Sequence, residues 1–302
     1  MALVQFGRPA LRRPRQRKGT AMRLARITWP QCQAYFKDND TVLIGVGSIE
    51  CHGLHNPLGT DTMAPDYLMD LIEAREPGVL IAPTVPYGAT DDLMGFPGTV
   101  SLGVQGLIDV LMSICDSLYA YGARRFVFVN GHGGNVKSIA TVCSALNEQG
   151  CIAVLMNWWK MAPQLNPAWG GGHGDGMETS ANLAIDPESV DMSALAPEAL
   201  RDDFGPSLKT TGWVSVEWDG VSVDMPRPLV RMASNGWVAE GHDNPPQTAS
   251  AELGQAMLEG TADYIARFVR NLRGVELPEP LCYEDETAKG LAYIEGLKTG
   301  KE

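Results

Sequence analysis

The sequence has no excess of basic residues, no long apolar run and no paired cysteines. Its 302 residues include 24 lysines and arginines against 36 aspartates and glutamates, so the net charge is −12. A chain this acidic is a poor partner for nucleic acid or an anionic membrane, and no apolar run reaches the length of a membrane span. The six cysteines are scattered without paired spacing, which is typical of reduced thiols. We therefore expect a cytoplasmic protein that binds neither nucleic acid nor membrane.

Two common functional signatures are also missing. The sequence contains no GxSxG elbow, which argues against a hydrolase built on a serine nucleophile. The segment GHGGN at 131–135 could cradle a phosphate ahead of a helix, but it lacks the lysine and serine of a P-loop and the GxGxxG pattern. The strongly basic segment lies in residues 1–21, and no apolar segment follows it as a secretory signal requires. We expect residues 1–21 to be a disordered extension.

Apolar runs bounded by turn residues predict four strands, and longer helix-like stretches separate them. The strands are predicted at 41–47, 79–86, 125–130 and 151–157. The helices are predicted at 62–76, 104–121, 135–148, 177–185 and 250–272. This alternation predicts an α/β fold of three layers, α/β/α, with a mostly parallel sheet in a single domain over residues 22–273.

Two regions depart from the alternation of strands and helices. From about 203 to 246 the sequence is rich in glycine, proline and tryptophan, and the segments WVSVEW and VSVDM alternate like short strands. We interpret this region as an insertion at the sheet edge or at the functional site. Residues 274–302 form a tail with a short amphipathic helix, which either packs on a neighbouring subunit or is loose.

Polar clusters follow three of the predicted strands. GSIECHGLHNPLGTD (47–61) follows the first strand, NGHGGN (130–135) follows the third, and HGDGMETS (173–180) follows the fourth after a loop. Together they contain four of the five histidines. Because ligands of open α/β sheets bind beyond the carboxyl ends of the strands, we expect these clusters to meet at one site.

The residue types in these clusters are those of a metal centre, although any one histidine alone would more often be structural. Glu50 and His52 are separated by one residue, so both side chains point to the same side of an extended backbone. The carboxylate of Asp61 can bridge two ions, and His132 and Glu178 would complete the ligand set. Oxygen and imidazole ligands suit Zn, Mn or Fe(II), so we expect two divalent ions per chain.

These motifs resemble those of the creatininase (creatinine amidohydrolase) family. The resemblance rests on GSIECHGLHNPLGTD, FPGTVSL, NGHGGN and HGDGMETS in this order, and on GHDNPPQTASAELG before the last long helix; it covers about 22–269. It implies a three-layer α/β/α fold and a metal-dependent hydrolase that opens cyclic amides such as creatinine or cleaves formamides. One branch of the family processes a peptide. The resemblance also implies a homo-oligomer, for example a hexamer.

The resemblance also assigns the metal ligands by position. The residues that match the ligands of most members are Glu50, His52, Asp61, His132 and Glu178. Asp61 is the one expected to bridge the ions. Creatininase itself has a glutamate two residues after the matched histidine, where this chain has Gly134. The carboxylate of Glu178 is therefore more necessary here to complete the set of metal ligands.

Further residues are matched to catalysis and to substrate binding. His173 matches the catalytic histidine of the family, so we expect His173 and Glu178 to be the catalytic residues. Trp159 and Trp169 fall where creatininase has tryptophans over its substrate. Where many members have a histidine shortly before FPGT, this chain has Leu93 with aspartates just upstream. We expect Asp92 to contact the substrate, and we expect the substrate to differ from that of the members with the histidine.

The expected reaction is hydrolysis of a C–N amide bond in a small molecule, either a cyclic amide or a formamide. A hydroxide bridging the two metals would be the nucleophile, and one metal would stabilise the oxyanion. His173 would carry the proton to the leaving nitrogen. Trp159 and Trp169 would form a flat wall for a planar substrate, or else belong to the ordinary core.

Other functions of the same residues stay open. The metals could hydrolyse an ester or a lactone, or could mature a peptide if residues 203–246 form an open groove. The chain could instead bind metal without turnover, although a structural site has no use for a proton-transfer histidine. Cys51 is a candidate nucleophile, but in an alternating strand end it points away from Glu50 and His52.

Overall fold

A computed structural model of the chain describes residues 22–239 and 243–299, so the extension predicted for residues 1–21 lies outside the described residues. Its central sheet is made of parallel strands. These are β1 (Thr41–Val46), β2 (Leu80–Ile81), β3 (Arg125–Asn130) and β4 (Ile152–Asn157). They lie side by side in the order β2–β1–β3–β4.

Strands β1 and β3 form the middle of the sheet. They pair in register from Thr41 opposite Arg125 to Val46 opposite Asn130, and every residue of both strands is buried. Both faces are covered, which explains why the two strands read as continuous apolar runs rather than alternating ones. Since both strands end at the same edge, the residues that follow Val46 and Asn130 come to lie side by side.

Helices cover both faces of the sheet. The helices of the described residues, including α7 in the insertion and α9 in the tail, are α1 (Trp29–Asp38), α2 (Thr60–Arg75), α3 (Gly103–Tyr121), α4 (Val136–Glu148), α5 (Trp158–Leu165), α6 (Gly176–Ile185), α7 (Leu229–Met232), α8 (Ala251–Leu272) and α9 (Tyr283–Thr299). One core lies between the sheet and α3 with α4, and the other lies between the sheet and α2, α6 and α8. The adjacent residues Phe126 and Val127 belong to different cores, because successive side chains of a strand point to opposite faces. The predicted three-layer α/β/α fold is confirmed.

The strand predicted at 79–86 is wrong in length, since β2 contains two residues. Pro83 and Pro86 interrupt it because proline has no N–H to donate to a ladder. The chain nevertheless continues alongside β1, where the N–H of Val85 donates to the carbonyl of Gly45 at 2.9 Å.

Three helices of the described residues were not predicted: α1, α5 and the single-turn α7. The start of α1 carries a capping box. The side chain of Thr28 accepts a hydrogen bond from the backbone N–H of Gln31, and the side chain of Gln31 accepts one from the backbone N–H of Thr28. Helix α5 begins directly after β4, where the sequence predicts a loop, and it contains Pro163. A proline inside a short helix hides it from a periodicity search.

The insertion predicted at 203–246 contains a second, antiparallel sheet. Its strands, in this order, are β5 (Lys209–Thr210), β6 (Ser215–Trp218) and β7 (Val221–Asp224). A small separate core supports the region, formed by Leu93, Leu229, Met232, Ala233 and Val238. The short strands predicted from the alternating segments are therefore confirmed.

The C-terminal tail ends in α9, none of whose residues is buried. The predicted tail helix is confirmed, and it is longer than expected. In the two described ranges, no helix is both long and apolar enough to cross a membrane.

Candidate metal centre

Four elements bring polar side chains to one point at the carboxyl edge of the sheet. The loop after β1 carries Glu50 and His52, and the first turn of α2 carries Asp61. His132 follows the end of β3, and Glu178 lies in the first turn of α6. All five side chains are buried. The five predicted ligands therefore meet in space.

Two glycines allow the strand ends and α2 to approach each other this closely. A Cβ on Gly47 would run into Thr62, and a Cβ on Gly131 would overlap the backbone carbonyl of Asp61. The loop after β1 is closed by a hydrogen bond from the N–H of Glu50 to the carbonyl of Leu58 at 2.9 Å. The irregular loop thus serves to aim ligands at one point while the helix packs against the sheet.

The first group of ligand atoms consists of Glu50 Oε1, Asp61 Oδ2 and His132 Nδ1. The imidazole nitrogen lies 3.0 Å from the Glu50 oxygen and 3.1 Å from the Asp61 oxygen. The other ring nitrogen, His132 Nε2, lies 3.1 Å from the carbonyl oxygen of Ala89 and donates its hydrogen to it. With that tautomer, Nδ1 carries a lone pair directed at two carboxylate oxygens.

The second group consists of His52 Nε2, Asp61 Oδ1 and Glu178 Oε2. His52 Nε2 lies 3.0 Å from the Asp61 oxygen and 3.5 Å from the Glu178 oxygen. His52 Nδ1 donates to the carbonyl of Glu50 at 3.2 Å, so Nε2 is the nitrogen that would lose its proton to bind a metal ion. The two oxygens of Asp61 therefore belong to different groups.

The chemistry of these atoms fits divalent cations. In each group, the atoms lie within 4.8 Å of one another. Glu50 Oε1 and Asp61 Oδ2 are buried without a hydrogen-bond partner among the described residues. Buried acceptors that face one another are costly unless a positive charge lies between them. Carboxylate and imidazole ligands in sets of three are those of zinc and related ions.

The pKa values describe how strongly the cluster attracts positive charge. Burial alone would lower the pKa of His52, but the Asp61 and Glu178 carboxylates outweigh it and raise that pKa to about 10. Burial likewise opposes a charge on His132, whose pKa Glu50 and Asp61 raise well above its usual range. Burial raises the pKa of Glu178 to about 8. A divalent ion would replace the protons that the cluster otherwise holds.

His173 lies beside the two ligand groups. Its Nε2 donates to the carbonyl oxygen of Cys51 at 2.7 Å, and its Nδ1 lies 4.0 Å from Glu50 Oε1. Burial, and then the neighbouring charge of His52, hold the pKa of His173 well below its usual value. A neutral imidazole with a free Nδ1 can accept a proton at the centre. The same atom also lies near enough to Glu50 and His52 to be a ligand.

Cys51 faces away from the cluster, as expected. Its Sγ lies 3.8 Å from the carbonyl oxygen of Gly53 and 3.9 Å from that of Gly236. Burial raises the pKa of its thiol. A protonated thiol that points away from the ligands is a poor nucleophile.

A buried polar network joins the helices that carry Asp61 and Glu178. Asn182 donates to Thr60 Oγ1 at 2.9 Å and to Asn56 Oδ1 at 3.0 Å. Asn56 in turn donates to Thr179 Oγ1 at 2.9 Å, and Thr179 lies 3.0 Å from His55 Nε2. Thr60 precedes one ligand and Thr179 follows another, so the network fixes the spacing of the first turns of α2 and α6.

A cavity of about 290 Å³ opens onto the cluster. Its lining includes the predicted Trp159 and Asp92, together with Trp213, which was not predicted. Trp169 is not among the lining residues. Its indole packs on Gly260 of α8, where a Cβ would lie 2.6 Å from the ring. Trp169 therefore occupies the core position that was the alternative to a substrate wall.

Trp213 could not be found from the sequence pattern. It is the first residue of the alternating segment WVSVEW, just before β6, and the alternation predicts a strand without showing that Trp213 faces the metal centre. Its ring meets His173 edge-on, with centroids 4.6 Å apart and planes at 70°. The signal available was a tryptophan in an insertion already suspected of lying at the site.

Comparisons with known proteins agree with this geometry. A family model described as creatinine amidohydrolase matches residues 25–269. The mycofactocin precursor peptide peptidase of Mycolicibacterium smegmatis is 31% identical over 245 residues, which are 78% of this chain and 87% of that protein. Two solved creatininases, a mutant of Zn–Zn type and a manganese form, each align with a TM-score of 0.65 and 26% identity. Each alignment covers 84% of this chain; it covers 99% of the Zn–Zn mutant and 100% of the manganese form. The chain belongs to the creatininase family of hydrolases.

Proposed function

We propose that this protein hydrolyses a C–N amide bond with the help of two divalent ions. The observation that supports this most strongly is the position of the two carboxylate oxygens of Asp61. One of its oxygens belongs to the group with Glu50 and His132, and the other belongs to the group with His52 and Glu178. A carboxylate placed in this way would hold two ions at once, and two-ion centres are common in metal-dependent hydrolases.

The metal ligands follow from the two groups. Glu50, Asp61 and His132 would hold one ion, and His52, Asp61 and Glu178 would hold the other. Such ions supply a Lewis acid for the substrate carbonyl and a water that is acidic enough to attack near neutral pH. Zinc and manganese are the first candidates because the solved relatives are described as Zn–Zn and manganese forms. Fe(II) suits the same ligands.

His173 is the proposed proton carrier, and Glu178 is proposed to contribute to catalysis from its ligand position. The neutral imidazole of His173 accepts a proton at Nδ1 and delivers it to the leaving nitrogen. The hydrogen bond from Nε2 to the Cys51 carbonyl fixes the ring so that Nδ1 faces the centre. General acid–base catalysis by a positioned histidine typically contributes about 10²–10⁴-fold in rate.

The proposed substrate is a small amide that fits a cavity of about 290 Å³. Trp159 offers it a flat apolar surface, and Asp92 offers it a hydrogen-bond acceptor. Trp169 is not part of this wall, because its ring packs on Gly260.

Peptide cleavage is the second candidate function. It is favoured by the mycofactocin precursor peptide peptidase among the relatives. It is also favoured by the position of the insertion, whose residues Trp213 and Val214 border the cavity. An extended peptide would run from the metal centre along this insertion.

A substrate panel separates the two candidates. Protein stripped with chelator and reloaded with Zn, Mn or Fe(II) is assayed on cyclic amides, formamides, lactones and short peptides. We expect hydrolysis of amides, with small cyclic amides or formamides preferred over peptides. Asp61→Ala is the inactive reference, and Asp66→Ala, an exposed carboxylate on the same helix, is the matched control. Hydrolysis of lactones alone would contradict the amidohydrolase assignment, and cleavage of peptides alone would favour the second candidate.

A further inference from the structure

Helix α9 (Tyr283–Thr299) lies on the surface, in the C-terminal tail. None of its 17 residues is buried, and its ion pair, Lys289 with Glu286 at 2.6 Å, joins two residues of the helix itself. The chain is fixed to the body just before α9, where the N–H of Leu281 donates to the carbonyl of Glu148 at 2.8 Å. The matched family domain ends at residue 269, so α9 lies outside it.

A helix in this position lacks the usual source of helical stability. Isolated helices of this length are marginal in water, and most helical stability in proteins comes from the packing of an apolar face. Two glycines, Gly290 and Gly296, weaken α9 further because glycine has a low helix propensity. We therefore expect α9 to be stabilised by a surface that the described residues of one chain do not supply.

The large apolar side chains of α9 form one stripe along the helix. At 3.6 residues per turn, Tyr283, Ile294 and Leu297 lie within a sector of about 60°. Leu291 and Tyr293 flank this sector on either side. All five side chains are between 48% and 68% exposed. A contiguous exposed stripe of this kind on a soluble protein marks an interaction surface.

The charges of α9 show which partner fits this stripe. The first turn of the helix carries Glu284, Asp285 and Glu286, and its last turn carries Lys298. A parallel pair of α9 helices would bring two acidic turns together, whereas an antiparallel pair brings Lys298 of each copy against the acidic turn of the other. The partial charges at the helix ends favour the same direction, because a positive amino end then lies beside a negative carboxyl end. A second α9 in the opposite direction is therefore complementary to this surface.

We propose that α9 pairs antiparallel with α9 of a second copy of this chain, about a two-fold axis close to Gly290. In this register, Tyr283 of each helix lies opposite Leu297 of the other. Gly290 lies on the side of the stripe, and a Cβ there would meet nothing within 4 Å, so the two helices can approach closely at the axis. The contact is isologous, since the same surface serves both copies. The tail leaves the body near the amino end of β4, whereas the metal centre lies at the carboxyl edge, so the pairing uses no residue of that centre.

The test is a disulfide between the two copies. Cys282 is exposed and directly precedes α9, and in the proposed register it lies opposite Lys298 of the second copy. Within one helix these two positions are about 24 Å apart, too far for a disulfide, which needs Cα atoms within about 7 Å. The full-length variant Lys298→Cys is oxidised and separated by non-reducing electrophoresis. We expect most of it to run as a covalent dimer, and the further substitution Cys282→Ser should abolish that dimer.

Matched variants show whether the apolar stripe holds the pair together. Lys289→Cys places the same thiol on the other side of the helix and should run as a single chain. Added to Lys298→Cys, Ile294→Glu should abolish the covalent dimer because it places a charge within the stripe. Ala292→Glu places that charge on the opposite side of the helix and should leave the dimer intact.

Three results would overturn the proposal. A covalent dimer of the wild-type protein through Cys282 would indicate a parallel pair. Equal cross-linking of Lys298→Cys and Lys289→Cys would indicate that α9 docks on another protein or on the body of the second copy. A dimer of Lys298→Cys that Ile294→Glu leaves intact would show that the stripe does not hold the pair. These measurements need neither metal nor substrate, so their outcome does not depend on the proposed function.

Discussion

Substitution of Gly134 by alanine should loosen the His132 ligand. A Cβ at Gly134 would lie 2.5 Å from His132 Nε2 and far inside contact distance of the Ala89 carbonyl oxygen. These two atoms are the donor and acceptor of the 3.1 Å hydrogen bond that sets the His132 tautomer. The added methyl group must therefore separate them or displace the backbone. Gly133→Ala is the matched control, because a Cβ there meets nothing within 4 Å.

The size of the effect follows from two contributions. Loss of the hydrogen bond costs about 1 kcal/mol, and overpacking of a rigid site costs about 1–3 kcal/mol. The free energy of unfolding of Gly134→Ala should therefore fall by about 2–4 kcal/mol. In a chain of this size each kcal/mol lowers the melting temperature by roughly 2 °C, so a decrease of roughly 4–8 °C is expected. Loss of a partner that orients a ligating histidine also weakens metal binding by about 10- to 100-fold.

Thermal unfolding of the metal-free variants and zinc titration by calorimetry measure these two effects separately. Gly133→Ala should resemble the wild-type protein in both. Gly134→Ala could instead have the same melting temperature as Gly133→Ala and bind zinc with wild-type affinity. The hydrogen bond to Ala89 would then not hold His132 in place, and the reasoning would be refuted.

Three other predictions concern single side chains. Asp61→Ala should lose both ions in elemental analysis because each Asp61 oxygen serves a different group, whereas Asp66→Ala should keep them; retention of one ion by Asp61→Ala would contradict bridging. His173→Asn should keep the metals and the melting temperature and lower turnover by about 10²–10⁴-fold; loss of one ion would make His173 a ligand, and a lower melting temperature with normal specific activity would make it structural. Burial lowers the pKa of His55 to about 4, so the unfolded chain binds a proton that the folded chain refuses, and this site loses stability as pH falls from about 6.5 to 4. Measured by denaturant unfolding, the free energy of unfolding should fall more steeply over that pH window for the wild-type protein than for His55→Gln. Equal pH dependence in the two proteins would contradict the prediction.

The middle of the sheet and the ligands were predictable because their signals are local. Strands β1 and β3 are buried on both faces, so their apolar runs stand out directly in the sequence. The ligands follow these strands within a few residues, and parallel strands that end at the same edge must bring them together. The predicted homo-oligomer and the basic extension remain predictions.

The substrate side of the site was harder to predict because tertiary contacts determine it. The match of Trp169 to a tryptophan of creatininase could not show that its ring turns toward Gly260 and away from the cavity. Trp213 reaches the cavity from an insertion whose position is set by a small separate core. The alternation of WVSVEW predicts a strand but not the direction of Trp213, since that direction depends on packing between segments that are distant along the chain.

The measurement that tests the central claim most directly is a metal titration of the chelator-stripped protein, followed by the rate of amide hydrolysis. Two ligand groups that share Asp61 predict that the rate rises until two ions are bound per chain and then stays constant. Saturation at one ion per chain, or no hydrolysis of any amide at full metal loading, would contradict the account.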